Sequence, residues 1–435
     1  MKYIPLTALL VFIACGQNKK QEPPQEAQDA VENAVEALAD EVPKEIDTRK
    51  FSEVMDGIEE KQLPLIDTTN FDRFIDEADR KVFDGQILSI EKVYPNFYTE
   101  ASKYQPMDVY KVPLSSKFYT VVMTFRKGDF EMESTLVNYD LEGTMIDHQL
   151  IANDEIAEGA SRMESKISEN KILSNRIFWT EKKEIEQEEY RIKSDGKIEA
   201  SNSKTLSKTL KDYTLILSVL NELGLNPLMV KTNLVASKVN PQDPNEVVIA
   251  IPEIVDEGEH YFELNSHIVI ADSRSGEIKY TYFESFQTNG WVSDAVELRE
   301  IKIDTAPYQV SNEKRAFGIR VYYLGLSKPN PYENETLSLF VKSGNELQKI
   351  LGNYSVMDYG GEWDNDCWGE FFRSEKILFM SKKQTMGRFD ILVKNKMTET
   401  KNEIDENGEC ISNDTISTET SVLKFNGEEY KTNKT

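Results

Sequence analysis

Phe118-Tyr119-Thr120-Val121-Val122-Met123-Thr124-Phe125 is eight residues of β-branched and aromatic side chains with almost nothing else. Half-buried strands have that composition, because branched and ring side chains pack well on a pleated surface. Two more such runs follow, Thr135-Leu136-Val137-Asn138-Tyr139 and Thr144-Met145-Ile146-Asp147-His148. Between them stands Asp140-Leu141-Glu142-Gly143, whose Asp and late Gly suit a tight turn. Strand, turn, strand at this spacing predicts an antiparallel meander.

The pattern extends outward from there. Residues 171–179 and 189–192 continue the strand series, and Ser194-Asp195-Gly196-Lys197 makes another hairpin turn. A first body over 49–201 is therefore expected to hold about six strands. A helix precedes them, with Phe71, Phe74, Ile75, Ala78 and Val82 on one face and Gly85 ending it. Leu206, Leu210, Tyr213, Leu217 and Leu220 recur in steps of three and four, and Gly224 with Pro227 closes the run. One core-facing or bridging helix is predicted there. Beyond it, strands are expected over 247–251, 261–270, 278–283, 301–304, 316–323, 337–341, 377–380, 389–393 and 422–425. The fold class is thus mainly β with a few helices, two antiparallel sheet domains joined by a helix. The irregular spacing of the late glycines argues against a propeller repeat. The divisions expected are 1–14, 15–48, 49–201 and 202–435.

The first residues read as an address. Lys2 is followed by an apolar run over 4–13, then Ala14 and Cys15. About ten apolar residues cannot span a bilayer, which takes roughly twenty. Phe12-Ile13-Ala14-Cys15 resembles the lipobox of bacterial lipoprotein precursors, with Phe12 where members of that family carry Leu, Val or Ile. The resemblance covers the first twenty or so residues. It implies cleavage before Cys15, lipid on that cysteine, and attachment of the body to a membrane. Gly16 stands where lipoproteins of the inner membrane often show Asp, which implies the outer membrane of the cell envelope. Residues 17–24 (QNKKQEPP) read as a tether, and 25–42 as an amphipathic helix with a stripe of Ala27, Val31, Ala34 and Leu38.

A net charge of −25 over 435 residues speaks against nucleic acid and against electrostatic docking to anionic lipid. The remaining partners are the membrane, through lipid, and an envelope protein or glycan. With Cys15 assigned to lipid, Cys367 and Cys410 are left in an oxidising setting and are expected to pair. The chain has no G-x-S-x-G, H-E-x-x-H, C-x-x-C, P-loop or G-x-G-x-x-G. No catalytic residue, metal ligand set or cofactor is assigned. His148, His260 and His267 are the only histidines, the last two read as opposite faces of one strand.

One segment concentrates functional side chains: Tyr359-Gly360-Gly361-Glu362-Trp363-Asp364-Asn365-Asp366-Cys367-Trp368-Gly369-Glu370-Phe371-Phe372. Trp363, Asp364, Asp366, Trp368 and Glu370 are the candidate ligand-binding residues. Asp364, Asp366, Gly369 and Glu375 match places one, three, six and twelve of a calcium loop, but Trp368 holds the fifth. Aromatic rings beside carboxylates could also grip a sugar, and paired carboxylates could hydrolyse one. The expectation is a non-catalytic binding or structural module. A carbohydrate-active hydrolase or a calcium-stabilised adhesion module on 359–372 is the alternative.

Overall fold

The computed structural model describes residues 48–71, 85–99, 103–156, 161–179 and 182–432. The lipobox, the tether, the stripe over 25–42 and the helix expected over 71–82, apart from Phe71, lie outside these residues. The protein is mainly β with few helices, built on two large sheets whose pairings are almost all antiparallel.

The first sheet has nine strands, not about six. They are β1 (Leu65–Asp67), β2 (Tyr104–Lys111), β3 (Tyr119–Lys127), β4 (Glu131–Tyr139) and β5 (Met145–Glu155), then β6 (Ser161–Ser168), β7 (Lys171–Trp179), β8 (Lys183–Ile192) and β9 (Ile198–Thr205). Strands β2 to β9 pair in sequence order, and β1 adds to β6. The extra strands are polar ones such as β9, IEASNSKT, exposed over most of its length. A strand with no apolar face leaves no alternation to read, so pairing alone defines it.

Both faces of this sheet are covered at β3. Val121, Met123 and Phe125 pack with helix α1 (Thr48–Gly57) through Phe51 and Met55. Val122 turns the other way, to Leu136, Ile151, Ile167 and Ile172. Helix α1 was not foreseen; Phe51 and Met55 share its buried face, and Ile58, just past its end, is buried in the same cluster. Gly143 ends the 140–143 turn at φ +91°, and a Cβ there would sit 2.7 Å from the Phe51 ring. Glycine is required at that point on both counts.

The connecting helix is broken in two. Helix α2 (Leu206–Thr209) stops at Leu210, and α3 (Tyr213–Leu223) begins after Asp212, whose φ is 56°. Tyr213, Ile216, Val219 and Leu220 are the buried side chains of α3, while Leu217 is only half-buried. These helices pack between the sheets, against Ile177 and Ile185 on one side and Val247, Ile249, Ile251 and Val269 on the other. Full burial of one such side chain contributes about 1.5–3 kcal/mol, so the joint is part of the core.

The second sheet has thirteen strands. Its first part holds β10 (Ala236–Asn240), β11 (Asp243–Glu257), β12 (Phe262–Asp272), β13 (Ile278–Glu284) and β14 (Val292–Ser293), with helix α4 (Phe286–Asn289) between the last two. Then come β15 (Val296–Gln309), β16 (Arg315–Gly325), β17 (Tyr332–Ser343) and β18 (Glu346–Trp363). The last four are β19 (Gly369–Thr385), β20 (Arg388–Ile404), β21 (Cys410–Phe425) and β22 (Tyr430–Thr432). A single parallel contact, Thr281 with Glu346, ties β13 to β18. Strand β18 was not anticipated, and β21 is far longer than the expected 422–425. His260 lies outside β12, so it shares no strand with His267. No helix among the described residues is long and apolar enough to cross a membrane.

Candidate functional site

Strands β18 to β21 are 18, 17, 17 and 16 residues long and outrun the core beneath them. The core packs only their near ends, through Ile350, Leu351, Val356, Ile391, Val393 and Leu423. At the far end the 364–368 hairpin loop and the 405–409 turn lie side by side. Cys367 and Cys410 join them in a disulfide, with Cα atoms 5.6 Å apart. The expected pairing is present.

Each candidate side chain sits at this stapled end. Trp363 closes β18 opposite Gly369, and its backbone N–H donates to the Pro329 carbonyl at 2.8 Å. Asp364 is exposed, and its carboxylate accepts from the Asp366 N–H at 2.8 Å, while Asn365 takes φ 68°. That is an Asx turn, the local use to which a loop Asp is most often put. Asp366 is exposed, Trp368 is 45% exposed, and Glu370 faces Glu362 directly across β18 and β19.

The calcium-loop reading fails on register. Gly369 is extended within β19 and buried, not a bend in a loop. Glu375 lies six residues farther along the same strand, paired with Met357 and Lys396. At about 3.3 Å per residue it is about 20 Å from Gly369, too far to complete a shell with Asp364. Among the described residues, no group of three or more His, Cys, Asp or Glu is gathered to hold a metal ion.

The structure adds a column of rings that the sequence reading did not single out. Tyr359 and Phe371 stack with centroids 6.2 Å apart and planes within 10°. The Arg373 guanidinium lies 4.7 Å over the Tyr359 ring. Trp363, Tyr359, Phe371 and Arg373 alternate onto one face of the sheet, as the register requires. Beside them Thr400 donates to Asp414 at 2.7 Å and Ser412 to Asn402 at 2.7 Å. The face carries a column of rings flanked by hydroxyls, amides and a carboxylate. Residues two apart on one strand and opposite on the next carry this signal, but it can be read only once the pairing is known.

A second charged cluster lies at the seam between the sheets. The Glu257 carboxylate meets Lys166 Nζ at 2.6 Å, Lys231 Nζ at 2.9 Å and Lys171 Nζ at 3.8 Å. Burial opposes its ionisation, yet the ammonium groups of Lys231, Lys166 and Lys171 outweigh that and hold its carboxyl at about 2. Lys166 is 1% exposed and is pulled below the ordinary lysine range by burial, which Glu257 offsets only in part. His267 meets Glu253 at 2.8 Å, and that bond, against burial, lowers the Glu253 carboxyl.

No family model matches the chain, and no curated protein is similar to it. Among solved structures there is a match to the crystal structure of the WD40 domain of SCAP from fission yeast. It has a TM-score of 0.16 and 8% identity, over 71% of this chain and 66% of that one. The chain thus spans just under two thirds of that structure, and a likeness at this level carries no argument about fold or activity.

Proposed function

We propose that the chain is a lipid-anchored, non-catalytic binding module of the bacterial cell envelope. Its body is held to the outer membrane through Cys15 and presents the stapled end of the long sheet to a glycan or an envelope protein. The observation behind the binding role is the strip of Trp363, Tyr359, Phe371 and Arg373, next to the hairpin loop that carries the exposed Trp368. Aromatic side chains beside hydrogen-bonding groups suit the apolar patches and hydroxyls of a sugar. The anchor rests on the lipobox resemblance at residues 12–15.

The test has two arms. Labelling with a palmitate analogue is expected for the wild-type chain and lost in Cys15→Ser, since serine offers no thiol. Equal labelling of both ends the lipoprotein reading. The full chain is then mixed with cell-wall sacculi and a panel of soluble polysaccharides. Retention that falls in Trp368→Ala and Trp363→Ala supports the binding role. Turnover of any of these glycans that falls in Glu370→Gln replaces it with the hydrolase alternative. No retention on any glycan points to a protein partner.

A further inference from the structure

We propose that the free edge of β21 is a self-association surface, pairing antiparallel with the same edge of a second copy about a two-fold axis at Ile416. Strand β21 pairs with β20 from Cys410 to Leu423, but on its other side β22 covers only Leu423 to Phe425. Residues 410–422 therefore present an open row of backbone N–H and C=O groups, and 410–420 are exposed at every position. Natural edges are blunted by proline, a bulge, a covering element or charged side chains, and the charges on this one are Asp414 and Glu419, which oppose pairing unless a partner's cations meet them. This one, CISNDTISTETSV, has no proline, lysine or glycine, and its register with β20 runs without a shift. The disulfide at Cys410 fixes its far end, which reduces the ordering cost of pairing.

Length and charge select the same register. The centre of the open stretch 410–422 is Ile416, so a two-fold there uses all of it. In that register Asp414 of one copy faces Thr418 of the other, and Thr418 is paired with Lys396 on β20. Glu419 faces Asn413, which is paired with Lys401. Each carboxylate thus lies on the same sheet face as an exposed lysine two strands away, about 10 Å. The four-carbon lysine stem and the carboxylate's own length close that gap. Symmetry makes four such pairs. Moving the axis to Thr415 would set Glu419 over Ile411 and beside Glu403, and moving it to Ser417 would set Glu419 over Thr415 and beside Glu399. Both place like charges together. At Ile416 the two isoleucines, each 59% exposed in the single chain, cover one another. The net charge of −25 opposes approach at long range, but salt screens it beyond about 8 Å while leaving contacts at the edge.

The full chain, purified in detergent, tests this by cross-linking and sedimentation. Ile416→Cys is expected to form an intermolecular disulfide under mild oxidation, because residues facing each other across antiparallel strands lie about 4.5–5.5 Å apart at Cα. Ser412→Cys should not, being about 26 Å from its own copy, but should cross-link to Thr420→Cys when the two are mixed. Asp414→Lys with Glu419→Lys should weaken the dimer at least about tenfold. Mixing that variant with Lys396→Asp, Lys401→Asp should restore it. Unchanged thermal midpoints confirm that each variant folds. A monomer at every concentration up to the solubility limit overturns the proposal. So does a dimer that cross-links equally through Ser412→Cys alone, or one indifferent to the charge reversals. Trp368→Ala leaves this edge intact, so loss of glycan retention and loss of the dimer are separate results.

Discussion

Replacing Glu257 by glutamine keeps the shape of the side chain and removes the one carboxylate that three lysines share. The carboxyl is held at about 2 in place of an ordinary 4.5, against the opposing effect of burial. At about 1.4 kcal/mol per tenfold change in proton affinity, that difference corresponds to a net preference for the charged form of about 3 kcal/mol, left after the lysines have offset burial. Removing one partner of a buried ion pair costs about 3–5 kcal/mol by a separate route, because the other charge is left behind. Here the stranded charge is Lys166, 1% exposed, which loses its 2.6 Å partner. Glu257→Gln should therefore lower the unfolding free energy by about 3 kcal/mol in urea near neutral pH. The sign with pH follows from the lowered carboxyl. Its contribution is complete above 4.5 and disappears as pH falls through about 2, so the gap between wild type and variant should close over that window. Lys166→Met should cost less, since an apolar replacement removes a burial penalty along with the pair, and the double variant should be less damaged than the sum. A gap under about 1 kcal/mol near neutral pH would refute the coupling, as would a gap unchanged on acidification.

Three further outcomes follow from the disulfide and the packing. Cys367→Ser with Cys410→Ser opens a link spanning 43 residues, worth up to about 4 kcal/mol in the chain-entropy account. The loss should show first as faster hydrogen exchange at the far ends of β20 and β21, and unchanged exchange there would refute it. Phe51→Ala should cost about 3–5 kcal/mol, since the ring is fully buried between Tyr119 and Tyr139. Gly143→Ala should destabilise through the same ring, and in thermal melts the Phe51→Ala background should relieve the contact part of that loss. Fully additive effects would refute that shared contact.

Local chemistry was legible without coordinates. The turns at Gly143, Gly196, Gly276 and Gly344 all place glycine at positive φ, and Gly224 ends α3 in the same way. A backbone conformation that only glycine adopts cheaply is announced by glycine itself. The apolar strands around 118–125 and 247–251 were equally visible, because burying one or both faces writes a pattern into the sequence. The break at Asp212 was not, since Leu206 to Leu220 keep a helical spacing across it.

By itself, then, the sequence determined the mainly β class and the sites of the tight turns, and its expectation that Cys367 pairs with Cys410 agrees with the structure. Tertiary structure alone decided how long the strands run and what each charged side chain meets. Residues 410–420 form a strand exposed on both faces, so no burial alternation marks them, and only hydrogen bonding to β20 makes them one. Lys166 and Glu257 are 91 positions apart and neither is unusual in its own neighbourhood. Their coupling exists because folding brings two sheets together at a seam that buries both side chains, and burial of that kind has no local signature in the chain.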